Sequence, residues 1–263
     1  MIDCHATIVP EDLAEARKLG VNLNRAGGRI REATPAKFIA QMDGLGLRAS
    51  VVWRVAKDNQ TARLANEWIA SVVRQYPDRL IGFASVYPPD YEGAVRELEW
   101  AIGHLGLVGL KVHPKNQRFP INDPGFLKLA GRAAEERLPL VLHVNMTLLP
   151  GEAVRDELSD FAEASLLPCL LDVYDSPKVM SAHMGGVLLE AVAASRISFQ
   201  TTGASREVIE EACRRVGHQR VLFGSDYPGF SVEEELERVR AAALGETAKS
   251  DILGNNFARF LSH

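Results

Sequence analysis

The sequence predicts an α/β protein folded as a single (β/α)8 barrel, the TIM-barrel architecture. Segments with strand and helix patterns alternate from one end of the chain to the other, which favours a parallel sheet with helices packed outside it. Eight short apolar segments have strand character, and eight is the number of strands that closes such a barrel. The length of 263 residues suits one barrel, and no linker, repeat or low-complexity segment divides it, so residues 1–263 are expected to form one domain.

Each predicted strand is a short, mostly apolar run that ends at a turn-forming or polar residue. A doubly wound open sheet is the main rival, but no Gly-x-Gly-x-x-Gly motif of the dinucleotide-binding kind follows the first strand. The predicted strands cover residues 1–5, 49–53, 80–86, 107–112, 140–143, 179–183, 197–200 and 221–224.

Helices are predicted in the intervals between the strands. Thr34 and Pro35 mark one helix start, as N-cap and first helical residue, and Ser205 caps another helix. The segment 10–32 is polar and long for a strand-to-helix connection, so it is expected to fold over the barrel mouth. The predicted helices cover residues 11–19, 35–44 (or 35–46), 60–76, 91–104, 123–137, 152–171, 206–216, 232–244 and 247–261, with a short one after residue 186.

The composition argues against several classes of partner. The formal net charge is −4 and there is no basic tract, which disfavours nucleic acid, because phosphate neutralisation requires clustered lysine and arginine. No apolar run approaches the ~18 residues of a membrane-spanning helix, and the strand-like first residues do not resemble a signal peptide. Three well-separated cysteines are expected to be reduced thiols. We therefore expect a cytoplasmic protein that acts on a small molecule.

Ionisable residues stand at the ends of five of the predicted strands. Side chains at the carboxyl ends of barrel strands meet at one mouth, where the active sites of this architecture lie. One such residue alone is more often a satisfied structural group, but several at one mouth indicate a functional site. The five residues are His5, His113, His143, His183 and Asp226.

Neutral imidazoles and a carboxylate form a ligand set that zinc, manganese and iron accept. His5, His143, His183 and Asp226 are therefore candidates for a metal centre. A metal held in this way lowers the pKa of a bound water and polarises carbonyl oxygens, and a nearby histidine or aspartate then moves protons.

The alternation of side chains along the first strand bears on its ligands. Asp3, His5 and Thr7 are expected to point to one face of the strand, and Cys4 to the opposite face, toward the helices. Cys4 is therefore expected to be a small core residue and not a nucleophile.

Further polar residues near the predicted mouth are candidates for substrate contact. Lys111 and His113 share one face of the fourth strand, and the lysine suits a carboxylate partner; a structural ion pair inside the barrel is the alternative. The other candidates follow strand ends and are chosen by position alone: Arg54, Asn145 and Tyr227.

Six short motifs, in order along nearly the whole chain, resemble the amidohydrolase-related family, in its branch of aminocarboxymuconate semialdehyde decarboxylase-like proteins. They are Ile-Asp-Cys-His (2–5), Gly-Leu-Lys-Val-His-Pro (109–114), Leu-His (142–143), Ala-His-Met-Gly-Gly (182–186), Leu-Phe-Gly-Ser-Asp-Tyr-Pro (222–228) and Ile-Leu-Gly-Asn-Asn-Phe-Ala-Arg-Phe-Leu (252–261).

The resemblance implies a (β/α)8 barrel with one divalent metal, usually zinc or manganese. The usual ligands of the family fall on His5, His143 and Asp226, and His183 matches a histidine that is a ligand or a proton-transferring residue. The chain departs from the family at one point. The first strand of the family ordinarily contains His-x-His, whereas this chain has His5-Ala6-Thr7, and a threonine hydroxyl is a poor zinc ligand compared with imidazole.

The resemblance implies an enzyme acting on a small carboxylated molecule. The first expectation is hydrolysis of an amide or lactone by metal-activated water, with Asp226 as the base and His183 assisting. The alternative is nonoxidative decarboxylation of an unsaturated or aromatic acid, with His183 protonating the carbanion-like carbon. A second alternative is a metal-free barrel with a binding or accessory role. Because related barrels are often dimers, a homodimer is one expected assembly.

Overall fold

The computed structural model describes residues 1–144, 162–184 and 194–262, and of residues 25–27 the backbone alone. Its strands are all parallel, and each pairs with the next along the chain within two sheets, β1 to β3 and β4 to β9. The strands are β1 (Ile2–Thr7), β2 (Ala49–Trp53), β3 (Leu80–Gly82), β4 (Ala84–Ser85), β5 (Leu110–Val112), β6 (Leu140–Leu142), β7 (Val179–Ser181), β8 (Ser198–Gln200) and β9 (Val221–Leu222).

Strands β3 and β4 are one path through the sheet, interrupted at Phe83. The amide of Phe83 donates to the Val52 carbonyl at 3.0 Å. The amide of the next residue, Ala84, donates to the Gly109 carbonyl on the other side at 2.7 Å. Both distances are usual for such bonds. The two sheets are therefore joined at this point. The predicted strand 80–86 is confirmed, with a local break.

The opposite seam, between the last strand and the first, is also closed. The amide of Cys4 donates to the Phe223 carbonyl at 2.9 Å, and the amide of Thr7 donates to the Tyr227 carbonyl at 2.8 Å. A parallel bridge between Ala6 and Tyr227 continues the seam. Eight parallel strand paths thus form a closed ring, which confirms the predicted (β/α)8 barrel.

Helices of the described residues follow the strands, as the alternating pattern predicted. Pro35 is the first residue of α2, after Thr34, and the Ser205 hydroxyl accepts from the Val208 amide at the start of α8. The helices are α1 (Leu13–Lys18), α2 (Pro35–Leu45), α3 (Asn59–Gln75), α4 (Tyr91–Gly103), α5 (Pro114–Gln117), α6 (Pro124–Glu135), α7 (Leu167–Tyr174), α8 (Arg206–Val216), α9 (Val232–Ala241), α10 (Glu246–Ser250) and α11 (Asn256–Ser262). None of these helices is long and apolar enough to cross a bilayer.

Two apolar layers hold the barrel together. The outer layer lies between strands and helices and contains large, fully buried rings such as Phe38 and Phe126. The inner layer is built largely from strand residues, among them Val51, Val141 and Met180. Each such side chain contributes about 1.5–3 kcal/mol when buried, so the ring of short strands is stabilised from both faces.

Strand β1 departs from the predicted alternation. Its pairing with β2 shifts register between Asp3 and Ala6, which is an irregularity of the β-bulge kind. Cys4 consequently packs in the inner layer, with its Sγ 3.7 Å from the sulfur of Met180. His5 also points inward. The expectation that Cys4 faces the helices is therefore wrong, because the bulge turns consecutive residues toward the same side.

The long insertion after β1 lies against the barrel mouth. It contains α1 and a 3-10 segment, Arg25–Glu32, and its apolar residues form a separate small cluster that packs on Tyr227. The guanidinium of Arg29 donates to the carbonyl of Gly229 at 2.8 Å. These contacts fix the insertion beside the loop that follows β9.

Candidate active site

The site predicted at the barrel mouth centres on two residues, one from the first strand and one that follows the last strand. The Nε2 atom of His5 lies 3.3 Å from the Oδ1 atom of Asp226. The backbone makes this pairing, since the Asp226 amide donates to the His5 carbonyl at 2.8 Å. The imidazole is 4% exposed and the carboxylate 13%, so a molecule entering the mouth would reach Asp226 first.

Gln200, at the end of β8, fixes the tautomer of His5. Its amide nitrogen donates to the Cys4 carbonyl at 3.3 Å, so its oxygen, 2.5 Å from Nδ1 of His5, must be the acceptor. The proton of the neutral imidazole is therefore on Nδ1, and the lone pair of Nε2 faces the carboxylate of Asp226. Two electron-rich atoms at this distance repel each other unless a proton or a cation lies with them.

His183 and His143 extend this pair across the mouth. The ring of His183 lies 5.9 Å from that of His5, and the ring of His143 lies edge-on to His183 at 4.8 Å. His183 has Nδ1 3.3 Å from the Thr202 carbonyl, which leaves Nε2 as the lone-pair nitrogen of the neutral ring. His113 stacks on His143 with ring centroids 3.7 Å apart. The four predicted histidines therefore lie in one continuous row.

Three of these histidines, His5, His143 and His183, are held in their neutral form by their surroundings. Burial lowers the pKa of His5 and, more strongly, that of His143, where His113, His183 and Lys111 add to the effect. Burial and the neighbouring His5 lower the pKa of His183 to about 3. Desolvation disfavours the charged ring in each case. Neutral imidazoles are the form that coordinates metal ions.

Two site residues have backbone conformations that favour glycine. Asp226 has a φ of 50° and His183 a φ of 143°. Such conformations cost about 1–3 kcal/mol each and cluster at functional sites. At Asp226 the surrounding loop maintains the conformation, since the amide of Gly229 donates to its carbonyl at 2.7 Å. A Cβ atom at Gly229 would lie 2.9 Å from that same carbonyl, so the turn requires glycine.

The predicted cationic contacts are also buried near the mouth. Lys111 is 1% exposed, and its Nζ lies 4.9 Å from the centroid of the Trp53 ring, which in turn lies 4.6 Å from the ring of His5. Arg54 is 7% exposed and follows β2 directly. Lys111 therefore belongs to the same cluster as His5, through the indole of Trp53.

The other residues predicted to contact substrate lie in different surroundings. The ring of Tyr227 stacks on Phe38 at 4.6 Å and packs with the insertion, beside the mouth and apart from the histidine row. His113 is held by its own turn, since its Nδ1 accepts from the Asn116 amide at 3.4 Å. Asn145 lies outside the described residues.

Two functional candidates were missed by the sequence reasoning. Gln200 ends a predicted strand and could have been noticed as a polar strand end. Asp3 is fully buried and accepts three hydrogen bonds, from the amides of His5 and Ser225 at 3.0 Å each and from the Ser225 hydroxyl at 2.6 Å. It therefore joins the residue before Asp226 to His5, although burial raises the pKa of Asp3 to about 7 against these hydrogen bonds.

The residues present fit a divalent cation, though not as a preformed cage. The facing lone pairs of His5 Nε2 and Asp226 Oδ1 provide two donors of the types that zinc and manganese accept. Within the described ranges no three histidine, cysteine or acidic side chains form a ready ligand set, and the first strand has Thr7, not a second histidine, two residues after His5. The site thus fits a cation that completes its coordination with further ligands brought by substrate or solvent.

Comparisons with known proteins agree with this architecture. A family model described as amidohydrolase matches residues 2–262. A curated relative, gamma-resorcylate decarboxylase from Polaromonas sp. (strain JS666 / ATCC BAA-500), is 24% identical over 257 residues, covering 79% of each chain.

Solved structures match the chain over almost its whole length. The 5-carboxyvanillate decarboxylase of Sphingomonas paucimobilis is 18% identical, with a TM-score of 0.76 and coverage of 99% of this chain and 98% of that one. A dihydroxybenzoic acid decarboxylase from Polaromonas sp. JS666, with bound manganese and 2-nitroresorcinol, has the same identity of 18% and TM-score of 0.76, covering 99% and 96%. At this identity the likeness shows the barrel fold.

Proposed function

Because the chain belongs to the amidohydrolase family, we propose that it is a nonoxidative decarboxylase of an aromatic carboxylic acid. The relatives named above are decarboxylases of hydroxylated aromatic acids, and this supports the alternative expected from the sequence over hydrolysis of an amide or lactone.

The His5–Asp226 pair carries the proposal. Its two facing acceptors, 3.3 Å apart, create a place for one positive charge, either a proton or a metal cation, at the entrance to a buried row of neutral imidazoles. Decarboxylation of an aryl carboxylate takes up one proton at the ring carbon and releases carbon dioxide. A site that holds a proton beside a partly exposed carboxylate suits this reaction.

Asp226 is the residue that we assign to proton transfer. Asp226 faces His5 through Oδ1, and its second oxygen, Oδ2, carries the proton that it gives to the ring carbon bearing the carboxylate; the C–C bond to that carboxylate then breaks. Carbon dioxide leaves, and the electron pair of the broken bond restores the aromatic ring. Asp226 regains a proton from the solvent, so the net reaction is the uptake of one proton by the aryl carboxylate and the release of carbon dioxide. The low pKa of His183, about 3, makes that neutral ring a poorer proton reservoir and suits it to orienting the substrate.

Charge near the mouth favours an anionic substrate. Lys111 and Arg54 supply two buried positive charges, and cations in a desolvated pocket attract carboxylate and phenolate oxygens strongly. Trp53 adds an aromatic surface between Lys111 and His5. We assign attraction of the anionic substrate to Lys111 and Arg54, and contact with the aromatic ring of the substrate to the histidine row.

One divalent metal, zinc or manganese, would be held by His5, Asp226 and His143, the residues on which the usual ligands of the family fall. When bound, it would supply Lewis-acid charge that neutralises the oxygen anions of the substrate. His5 would contribute the Nε2 lone pair that Gln200 directs, and Thr7 would contribute no imidazole.

A substrate panel tests the proposal. Full-length protein is incubated with hydroxylated benzoates and, separately, with lactones and amides, each with and without added Mn²⁺ or Zn²⁺. Carbon dioxide release from at least one aromatic acid is expected, and Asp226→Asn should reduce it by about 10²–10⁴-fold, the usual contribution of a proton-transferring side chain.

Asp78→Asn is the matched control, because Asp78 is an exposed residue remote from the mouth. It should leave the rate unchanged. Hydrolysis of a lactone or amide without carbon dioxide release from any acid would reject decarboxylation in favour of the hydrolase alternative.

A further inference from the structure

A second cavity lies at the end of the barrel opposite the histidine row. Its volume is about 980 Å³, and Lys178, Ser198 and Arg220 line it. These residues stand immediately before or at the start of β7, β8 and β9, so the cavity opens at the amino ends of the strands. Arg137, just beyond the end of α6, lines the same space. The volume is that of a small-molecule site, for which ~300–1,000 Å³ is usual.

The cavity concentrates positive charge in a chain whose formal net charge is −4. The contrast matters because an arrangement of like charges around one space is what a site for an anion requires. Among the lining residues two are acidic, Asp172 and Asp175, and five are basic: Arg137, Lys178, Arg196, Arg220 and Arg259.

Two of the basic residues are not compensated by carboxylates of the described chain. Lys178 is only 7% exposed, and its ammonium donates to the Leu261 carbonyl at 3.0 Å. Arg137 is its charged neighbour, and among described residues neither forms an ion pair with an acid. By contrast, Arg196 pairs with Asp175 in the same cavity.

Lys178 is largely buried and Arg137 is exposed, so the guanidinium places a like charge beside an ammonium that is already desolvated, which is unfavourable. Burial, with the charge of Arg137 added to it, lowers the pKa of Lys178. The cost falls if an anion bridges the two groups, because an ammonium and a guanidinium together bind phosphate or carboxylate oxygens well. Leu171 and the exposed Val173 give the cavity an apolar side as well.

We propose that this cavity binds a small organic anion, whose phosphate or carboxylate group lies between Lys178 and Arg137 and whose apolar part rests against Leu171 and Val173. The site is separate from the mouth and does not depend on the reaction proposed there. The expected ligand is a molecule of metabolite size that carries a phosphate or carboxylate group.

Isothermal titration calorimetry of the full chain tests this site with inorganic phosphate, phenyl phosphate and succinate as probes. Ionic strength is kept constant with sodium chloride, so that screening alone gives no saturable signal. Saturable binding of at least one probe is expected. Phosphate-only or succinate-only binding would each support the site and identify which oxyanion it prefers.

Substitutions locate the binding. Arg137→Asn should weaken it at least tenfold, and asparagine tolerates the positive φ of 53° at this position. Arg118→Asn is the matched control, since Arg118 also has a positive φ, 57°, and does not line the cavity. Lys178→Met should abolish binding; if that buried substitution prevents folding, Arg137→Asn still decides.

Two outcomes would overturn the proposal. One is the lack of saturable binding for all three probes. The other is equal affinity of the unsubstituted protein and Arg137→Asn, which would place any bound anion elsewhere, for example at the mouth beside Lys111.

Discussion

The side-chain oxygen of Gln200 lies 2.5 Å from Nδ1 of His5, and this contact determines which nitrogen of the imidazole faces Asp226. The two residues are 195 positions apart in the chain and meet because β8 and β1 flank the last strand of the barrel. Gln200 is itself oriented by its bond to the Cys4 carbonyl. The orientation of His5 at the mouth therefore depends on a fully buried residue.

Removing this contact should disturb activity without unfolding the protein. In Gln200→Leu the ring of His5 loses its fixed tautomer, and we expect turnover to fall by about 10–100-fold, as when other residues that orient ligand histidines are lost. Nitrogen-15 NMR of labelled histidine should show the protonated nitrogen of His5 changing from Nδ1 to a mixture.

Gln60→Leu, at an exposed position in α3, is the control and should leave both the rate and the spectrum unchanged. An unaltered His5 signal in Gln200→Leu would contradict the positioning role of Gln200.

Metal affinity should depend on His5 and not on histidine content in general. His5→Gln is expected to weaken Mn²⁺ binding by at least about tenfold, because an amide replaces the Nε2 lone pair. Competition against a fluorescent chelator measures this without an activity assay. His104→Gln serves as the control, since His104 ends α4 and stacks on Trp100. Equal Mn²⁺ affinity in the two variants would remove His5 from the ligand set.

The pH dependence of the free energy of unfolding should reveal the buried acid Glu235. It is 1% exposed, and burial raises its pKa to about 7, against the opposing hydrogen bond from Gly203 and the charge of Arg238. A raised pKa means that the folded state favours the protonated form. The contribution of this group is therefore fully present below its unfolded pKa of about 4.5 and is lost as the pH rises through about 7.

Urea unfolding at several pH values tests this. Between pH 4.5 and 7, the stability of Glu235→Gln relative to the unsubstituted protein should rise by an amount on the order of 3 kcal/mol, because glutamine does not ionise. The stability of Glu234→Gln, at an exposed position next to it, should change with pH in parallel with that of the unsubstituted protein. Parallel curves for both variants would show that Glu235 titrates normally.

The junction of β3 and β4 should tolerate no side chain at Gly109. A Cβ atom there would lie 2.5 Å from the ring of Phe83, which is fully buried. We expect Gly109→Ala to reduce the free energy of unfolding by about 1–3 kcal/mol, the usual cost of overpacking. Gly103→Ala, with nothing within 4 Å of the added atom, should be neutral or slightly stabilising. Thermal unfolding compares the two, and equal midpoints would contradict this account.

Much of the fold was predictable because it depends on local pattern. Apolar runs of strand length, capping residues such as Thr34 and Ser205, and alternation with helices are properties of short segments, and the barrel follows from their number and order. The row of histidines was predictable for a related reason. Barrel closure brings the carboxyl ends of all strands to one mouth, so a residue at a strand end is placed by the fold itself.

The sequence by itself determined the eight strand paths, the barrel and the residues at its mouth. Only the tertiary structure decided that Cys4 points inward beside His5, that Tyr227 stacks on Phe38, that Gln200 orients His5, and that cations gather at the far end of the barrel. The physical reason is one of range. A hydrogen bond between residues some two hundred positions apart depends on which strands become neighbours and on where a bulge shifts their pairing, and both are set only when the barrel closes.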